Sequence, residues 1–108
     1  MENIKIMVVD DEPAIGEILT RFLGKKGYEV VSFTDGRKAL DYLKSNPVHL
    51  VLTDINMPEM NGVEVIRSAK ELKPGLSFLV MGSRIGDEEI EQGLAKLGCS
   101  NYIHKPFE

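Results

Sequence analysis

The feature that most constrains this chain is an alternation. Short apolar runs of strand length take turns with longer segments in which apolar residues recur every three or four positions. Ile4-Lys5-Ile6-Met7-Val8-Val9 is the first run, and it ends in Asp10-Asp11. Ala14, Ile15, Ile18, Leu19, Phe22 and Leu23 then recur at helical spacing. Pro13 suits the first turn of that helix, Asp11 or Glu12 can cap it, and Gly24 and Gly27 end it. Tyr28 to Phe33 reads as a second strand. Asp35-Gly36 opens a second helix with Ala39, Leu40 and Leu43 inward, and Asn46-Pro47 stops it. Leu50 to Thr53 is a third strand. Gly62 to Leu72 is a third helix carrying Val63, Ile66 and Ala69, closed by Lys73-Pro74-Gly75. Leu76 to Met81 is a fourth strand. Asp87 to Leu97 is a fourth helix, with Gly98 as its stop, and Asn101 to His104 is a short fifth strand before Lys105-Pro106.

Strands that alternate with helices form βαβ units. The sheet is then parallel, its crossovers are right-handed, and helices cover both faces. With 108 residues, 43% of them apolar, the chain fits one domain over residues 1–108 with a real core. In such α/β sheets, ligands gather beyond the carboxyl ends of the strands, where the strand order reverses. Asp10, Asp11, Asp54, Ser83 and Lys105 all fall at or just past a strand end.

The run Leu50-Val51-Leu52 stops at a carboxylate, Asp54, with Asn, Pro and Gly following. Three converging carboxylates repel one another and raise each other's pKa. A divalent cation removes that cost. Mg²⁺ takes hard oxygen ligands and keeps several waters. Asp11 and Asp54 can supply two oxygens, a backbone carbonyl near Asn56 a third, and Asp10 can act through an intervening water. Ser83 adds a hydroxyl donor. Lys105 adds a cation whose direction Pro106 restricts. Together these make a phosphoryl-transfer site, with Asp54 in the middle as the nucleophile that becomes an aspartyl phosphate. Taken alone, Asp10-Asp11 also fits a helix cap, and Asn56-Met57-Pro58 an ordinary turn. His49 and His104 lack metal-ligand spacing and read as structural. Met57 and Met60 read as loop packing.

Three segments, VVDDE (8–12), TDINMPEMNG (53–62) and NYIHKPF (101–107), together resemble the two-component response-regulator receiver domain of the chemotaxis-regulator type. The resemblance runs along the whole chain. It implies a flavodoxin-like, doubly wound five-stranded parallel sheet in the order 2-1-3-4-5. It implies that Asp54 takes a phosphoryl group from a sensor histidine kinase, with Asp10 and Asp11 as the Mg²⁺ acids. Ser83 falls at the family's hydroxyl position and Tyr102 at its switch aromatic. The fourth helix and fifth strand then form the output face toward a partner or output domain. Such a domain catalyses its own phosphorylation and dephosphorylation and is otherwise no enzyme. Two departures stand out. Arg84 occupies a position where a small residue is usual, and Ile85 one where attacking water can be positioned; both are expected to tune the lifetime of the phosphate. Receivers also continue into a fifth helix, and this sequence stops at Glu108. The missing helix is expected to leave alternate residues of Leu76–Met81 and Asn101–His104 uncovered, so that a second copy of the chain or further residues must bury them.

The formal charge of −4 argues against nucleic acid as the direct partner. No apolar run approaches the ~20 residues of a membrane span. The single Cys99 cannot form an internal disulfide, which suits a reducing cytoplasm, and reads as a small buried apolar residue. Two other functions compete. A Mg²⁺ phosphohydrolase of the haloacid dehalogenase type wants a second acid two residues after the nucleophile, where Asn56 stands. A constitutive interaction module with a degenerate site gains support from Arg84 and loses it from the intact acids and Lys105.

Overall fold

The computed structural model describes residues 4–54, 62–82 and 102–104. Its elements follow one another as β1 (Lys5–Val9), α1 (Pro13–Lys25), β2 (Glu29–Phe33), α2 (Gly36–Ser45), β3 (Leu50–Asp54), α3 (Gly62–Leu72), β4 (Ser77–Gly82) and β5 (Tyr102–His104). The five strands form one sheet in the order β2-β1-β3-β4-β5. Every pairing is parallel. The expected strand order and parallel pairing are therefore found. The expected fourth helix lies outside the described residues.

Successive strand side chains point to opposite faces, and here both faces are buried. On one face, Met7 and Val9 of β1, Val51 of β3, and Phe78 and Val80 of β4 pack with Ala39, Leu40 and Leu43 of α2 and Val65, Ile66 and Ala69 of α3. On the other, Ile6, Val8, Leu52 and Met81 pack with Leu19 of α1. The central strands β1 and β3 thus carry apolar side chains both ways, as a covered parallel sheet requires.

Local chemistry sets the helix ends. The Asp35 carboxylate accepts a hydrogen bond from the Arg37 N–H at 2.8 Å, capping α2. At the end of α1, the Gly27 N–H donates to the Gly24 carbonyl (3.0 Å) and the Tyr28 N–H to the Leu23 carbonyl (3.2 Å). This is a Schellman closure, and it needs the left-handed backbone that Gly27 supplies at φ 97°. Gly27 is the stop, and Gly24 lies within the helix. At the start of α1, Glu12 occupies the cap position, but its side chain makes no capping bond.

Cover is uneven on the side of the sheet that faces α1. The apolar stripe of α1 is wider than the sheet can cover. Leu19 is buried, with Ile15 and Leu23 packed against the same cluster. Ile18 and Phe22 remain 54% and 57% exposed. Of the alternate β4 residues expected to be uncovered, Ser77 is exposed, Leu79 is half-buried and Met81 is buried, while the side chains of residues 101–104 lie outside the described residues. Met81 and Leu52 are buried, and Leu50 and Leu79 are half-buried. Among the described residues, the two most exposed large apolar side chains are therefore Ile18 and Phe22 of α1, and none of the exposed ones lies on β4.

The edge of the sheet away from the strands' carboxyl ends is fastened by Lys5. Its ammonium lies 3.1 Å from the Glu29 carboxylate and 4.9 Å from the centre of the Tyr42 ring. Its N–H donates to His49 Nδ1, and its carbonyl accepts from the His49 N–H, both at 2.9 Å. His49 thus has a structural partner.

Candidate functional site

At the opposite edge the acids meet. β1 and β3 are hydrogen-bonded neighbours, with Val9 opposite Thr53. The residues that follow in each strand, Asp10 and Asp54, therefore emerge side by side. Both are buried, at 1% and 2% exposure. The Asp10 N–H still reaches back to β2, donating to the Phe33 carbonyl at 3.0 Å. Its side chain then turns the chain, since Asp10 Oδ1 accepts the Glu12 N–H at 2.9 Å. That bond is the described form of the capping alternative. It lies just ahead of the helix and leaves Asp11 directed at the cluster.

The Asp11 carboxyl is held above its ordinary range. Burial is the largest cause, followed by a hydrogen bond to the Asp54 carboxyl, then the Asp54 charge, with a smaller contribution from Glu12. Two carboxyls that share a hydrogen bond make a place that favours a proton or a cation. One ligand oxygen from each of Asp10, Asp11 and Glu12 can lie within 4.8 Å of the others. This donor set is hard, anionic and close-spaced, which fits Mg²⁺. Glu12 is the addition here, because the sequence pattern suggested only a helix cap for it. Its place directly after Asp10-Asp11 was the available signal.

Three polar side chains are buried among the described residues, namely Asp10, Thr53 and Asp54. All belong to this edge. Of the expected site residues, Asp10, Asp11 and Asp54 are brought together. Asn56, Ser83, Arg84, Ile85 and Lys105 lie outside the described residues, as do Met57, Met60 and Cys99. Ser83 follows Gly82, the last residue of β4, and Lys105 follows His104, the last residue of β5. Tyr102 opens β5, with its Cα opposite Val80. Among the described residues, no helix is long and apolar enough to cross a membrane.

The family model of the response regulator receiver domain matches residues 6–108. The response regulator MprA of Mycolicibacterium vanbaalenii is 38% identical over 104 residues, which cover 96% of this chain and 45% of that protein. The alkaline phosphatase synthesis transcriptional regulatory protein PhoP of Bacillus subtilis is 35% identical over 106 residues, covering 97% of this chain and 43% of that protein. The chain thus spans less than half the length of these two relatives. Among solved structures, the chemotaxis protein CheY4 of Vibrio cholerae superposes with a TM-score of 0.91 at 27% identity, covering 99% of this chain and 90% of that one. A CheY-like receiver domain protein from Methanospirillum hungatei JF-1 gives 0.92 at 28% identity, covering 99% and 85%.

Proposed function

The chain belongs to the response regulator receiver family, the phosphorylation-dependent switches of two-component signalling, and we propose that its switch is thrown by phosphoryl transfer onto Asp54. The carrying observation is the convergence of Asp10, Asp11 and Asp54 at one edge of the sheet.

In the step itself, a carboxylate oxygen of Asp54 bonds to phosphorus. The bond from phosphorus to the donor breaks, and the donor leaves with its electron pair. From acetyl phosphate the leaving group is acetate; from a sensor histidine kinase it is the histidine imidazole. Burial in β3 holds the Asp54 carboxylate in one direction. Asp10, Asp11 and Asp54 are the residues that would hold Mg²⁺, with Glu12 beside them and the Asn56 carbonyl as a further ligand. Bound there, the cation would supply positive charge to offset the carboxylates and the incoming phosphate oxygens. Ser83 and Lys105 hydrogen-bond and neutralise the phosphoryl oxygens, and Tyr102 reports their state to the face of the fourth helix and fifth strand. A partner protein or output domain reads that face in the cytoplasm. Slow autodephosphorylation resets the switch. A second copy of the chain is a further candidate partner, through the exposed Ile18 and Phe22 of α1.

Incubation with Mg²⁺ and acetyl phosphate or phosphoramidate, followed by intact-mass measurement, tests the reading. The wild type should gain one phosphoryl mass and Asp54→Asn none. A stable adduct on Asp54→Asn, or none on the wild type over a full range of conditions, overturns it.

A further inference from the structure

Of the three buried polar side chains among the described residues, two are the carboxylates of the site, and the third, Thr53, has as yet no part in it. A valine at this position would fill nearly the same space, and the residues paired with Thr53 on either side, Val9 and Val80, are both apolar. A buried hydroxyl must instead be satisfied. Thr53 is fully buried, and its Oγ1 donates to the carbonyl oxygen of Asp54 at 3.1 Å. That carbonyl belongs to the peptide unit joining Asp54 to Ile55. Its orientation fixes the backbone of Asp54 at the end of β3, and with it the base from which the Asp54 carboxylate projects. Val9, opposite Thr53, is the last residue paired between β1 and β3. The hydroxyl thus pins the peptide just beyond the last β1–β3 pair.

We propose that Thr53 is a positioning residue, whose hydroxyl orients the Asp54–Ile55 peptide and thereby sets the affinity of the acidic site for Mg²⁺. The proposal rests on the reading of Asp54 as a ligand given above. One hydrogen bond of ordinary net strength corresponds to a change of roughly three- to ten-fold.

Thr53→Val removes the hydroxyl and keeps the shape; Thr53→Ser keeps the hydroxyl and trims the shape. Melting temperature is followed against Mg²⁺ concentration for both and for the wild type, in the full chain and without phosphate. Thr53→Val should need about three- to ten-fold more Mg²⁺ for half the shift, while melting no lower than the wild type when metal-free. Thr53→Ser should return to within about two-fold of the wild type. Thr53→Ala serves as a second hydroxyl-free side chain should Thr53→Val not fold. Equal Mg²⁺ demand in Thr53→Val and wild type overturns the proposal, as does a Thr53→Ser that behaves like Thr53→Val, or a wild type indifferent to Mg²⁺. Because this readout needs no phosphoryl donor, failure of Asp54 to take phosphate is seen separately, in the mass measurement on the wild type.

Discussion

Replacing Asp11 by asparagine should make the metal-free protein more stable and blunt its response to Mg²⁺. The reason is the crowding of like charge. Ligand oxygens of Asp10, Asp11 and Glu12 can lie within 4.8 Å of one another, and Asp11 also meets Asp54. At that separation, two unit charges repel by about 0.9 kcal/mol in bulk water and about 3.5 kcal/mol at an effective dielectric of 20. Asp11 is only half-buried, so the lower end applies, and relief of about 1 kcal/mol is expected. For a domain of this size that is about 4 °C of melting temperature. The pH dependence carries a definite sign. Asp11 has a raised carboxyl in the folded state, so the penalty is absent below its unfolded value of about 3.9. It grows as pH rises through the raised folded value. The advantage of Asp11→Asn should therefore be full at pH 7, fade toward pH 4, and shrink with added salt. Calorimetric melts across pH, with and without Mg²⁺, provide the assay. An asparagine variant that melts at or below the wild type without metal at pH 7, and gains as much from Mg²⁺, refutes the reasoning.

Other outcomes follow from the sequence and from the described residues. Arg84→Ala and Ile85→Glu should each speed loss of phosphate from the labelled protein, measured as decay of the adduct mass; if neither does, these two residues do not protect the acyl phosphate. Leu43→Ala opens a cavity at a fully buried position between α2 and the sheet, and should cost about 2–5 kcal/mol by urea unfolding, with little change in the Mg²⁺ concentration that gives half the stabilisation. Gly16→Ala should gain about 0.5–1 kcal/mol of helix propensity and lose it to contact between the new methyl group and the Ser32 hydroxyl. Paired with Ser32→Ala, the same change should become stabilising, and a double-mutant cycle that shows simple additivity contradicts the contact.

How far the sequence could be read varies with the kind of question. α2 and α3 begin and end where Asp35-Gly36, Asn46-Pro47, Gly62 and Lys73-Pro74 place them, because those residues act locally on the backbone. The parallel order was legible because alternating strands and helices, together with the family likeness, leave few arrangements. Depth was less legible. The periodicity of α1 names a side of the helix, but how much of that side is covered depends on what packs there, so Ile18 and Phe22 stay exposed while Leu19 does not. The acids were found because they interrupt apolar runs. The nearness of Glu12 to the two acids and the bond from Thr53 to the Asp54 carbonyl were missed because a polar side chain's partner is a three-dimensional fact. Glu12 resembled a cap, and Thr53 an ordinary β-branched strand residue.

The pairing of Val9 with Thr53 has a metrological consequence. Adjacent strands in any sheet stand about 4.8 Å apart, a spacing fixed by the backbone hydrogen bond and indifferent to side-chain identity. Asp10 and Asp54 each follow one member of that pair, so the gauge between them is borrowed from the backbone itself. Loops joining the elements can lengthen, shorten or diverge without resetting it. The residues most exposed to drift are those whose placement depends on loop length, and the residues least exposed are the two acids standing on neighbouring rungs.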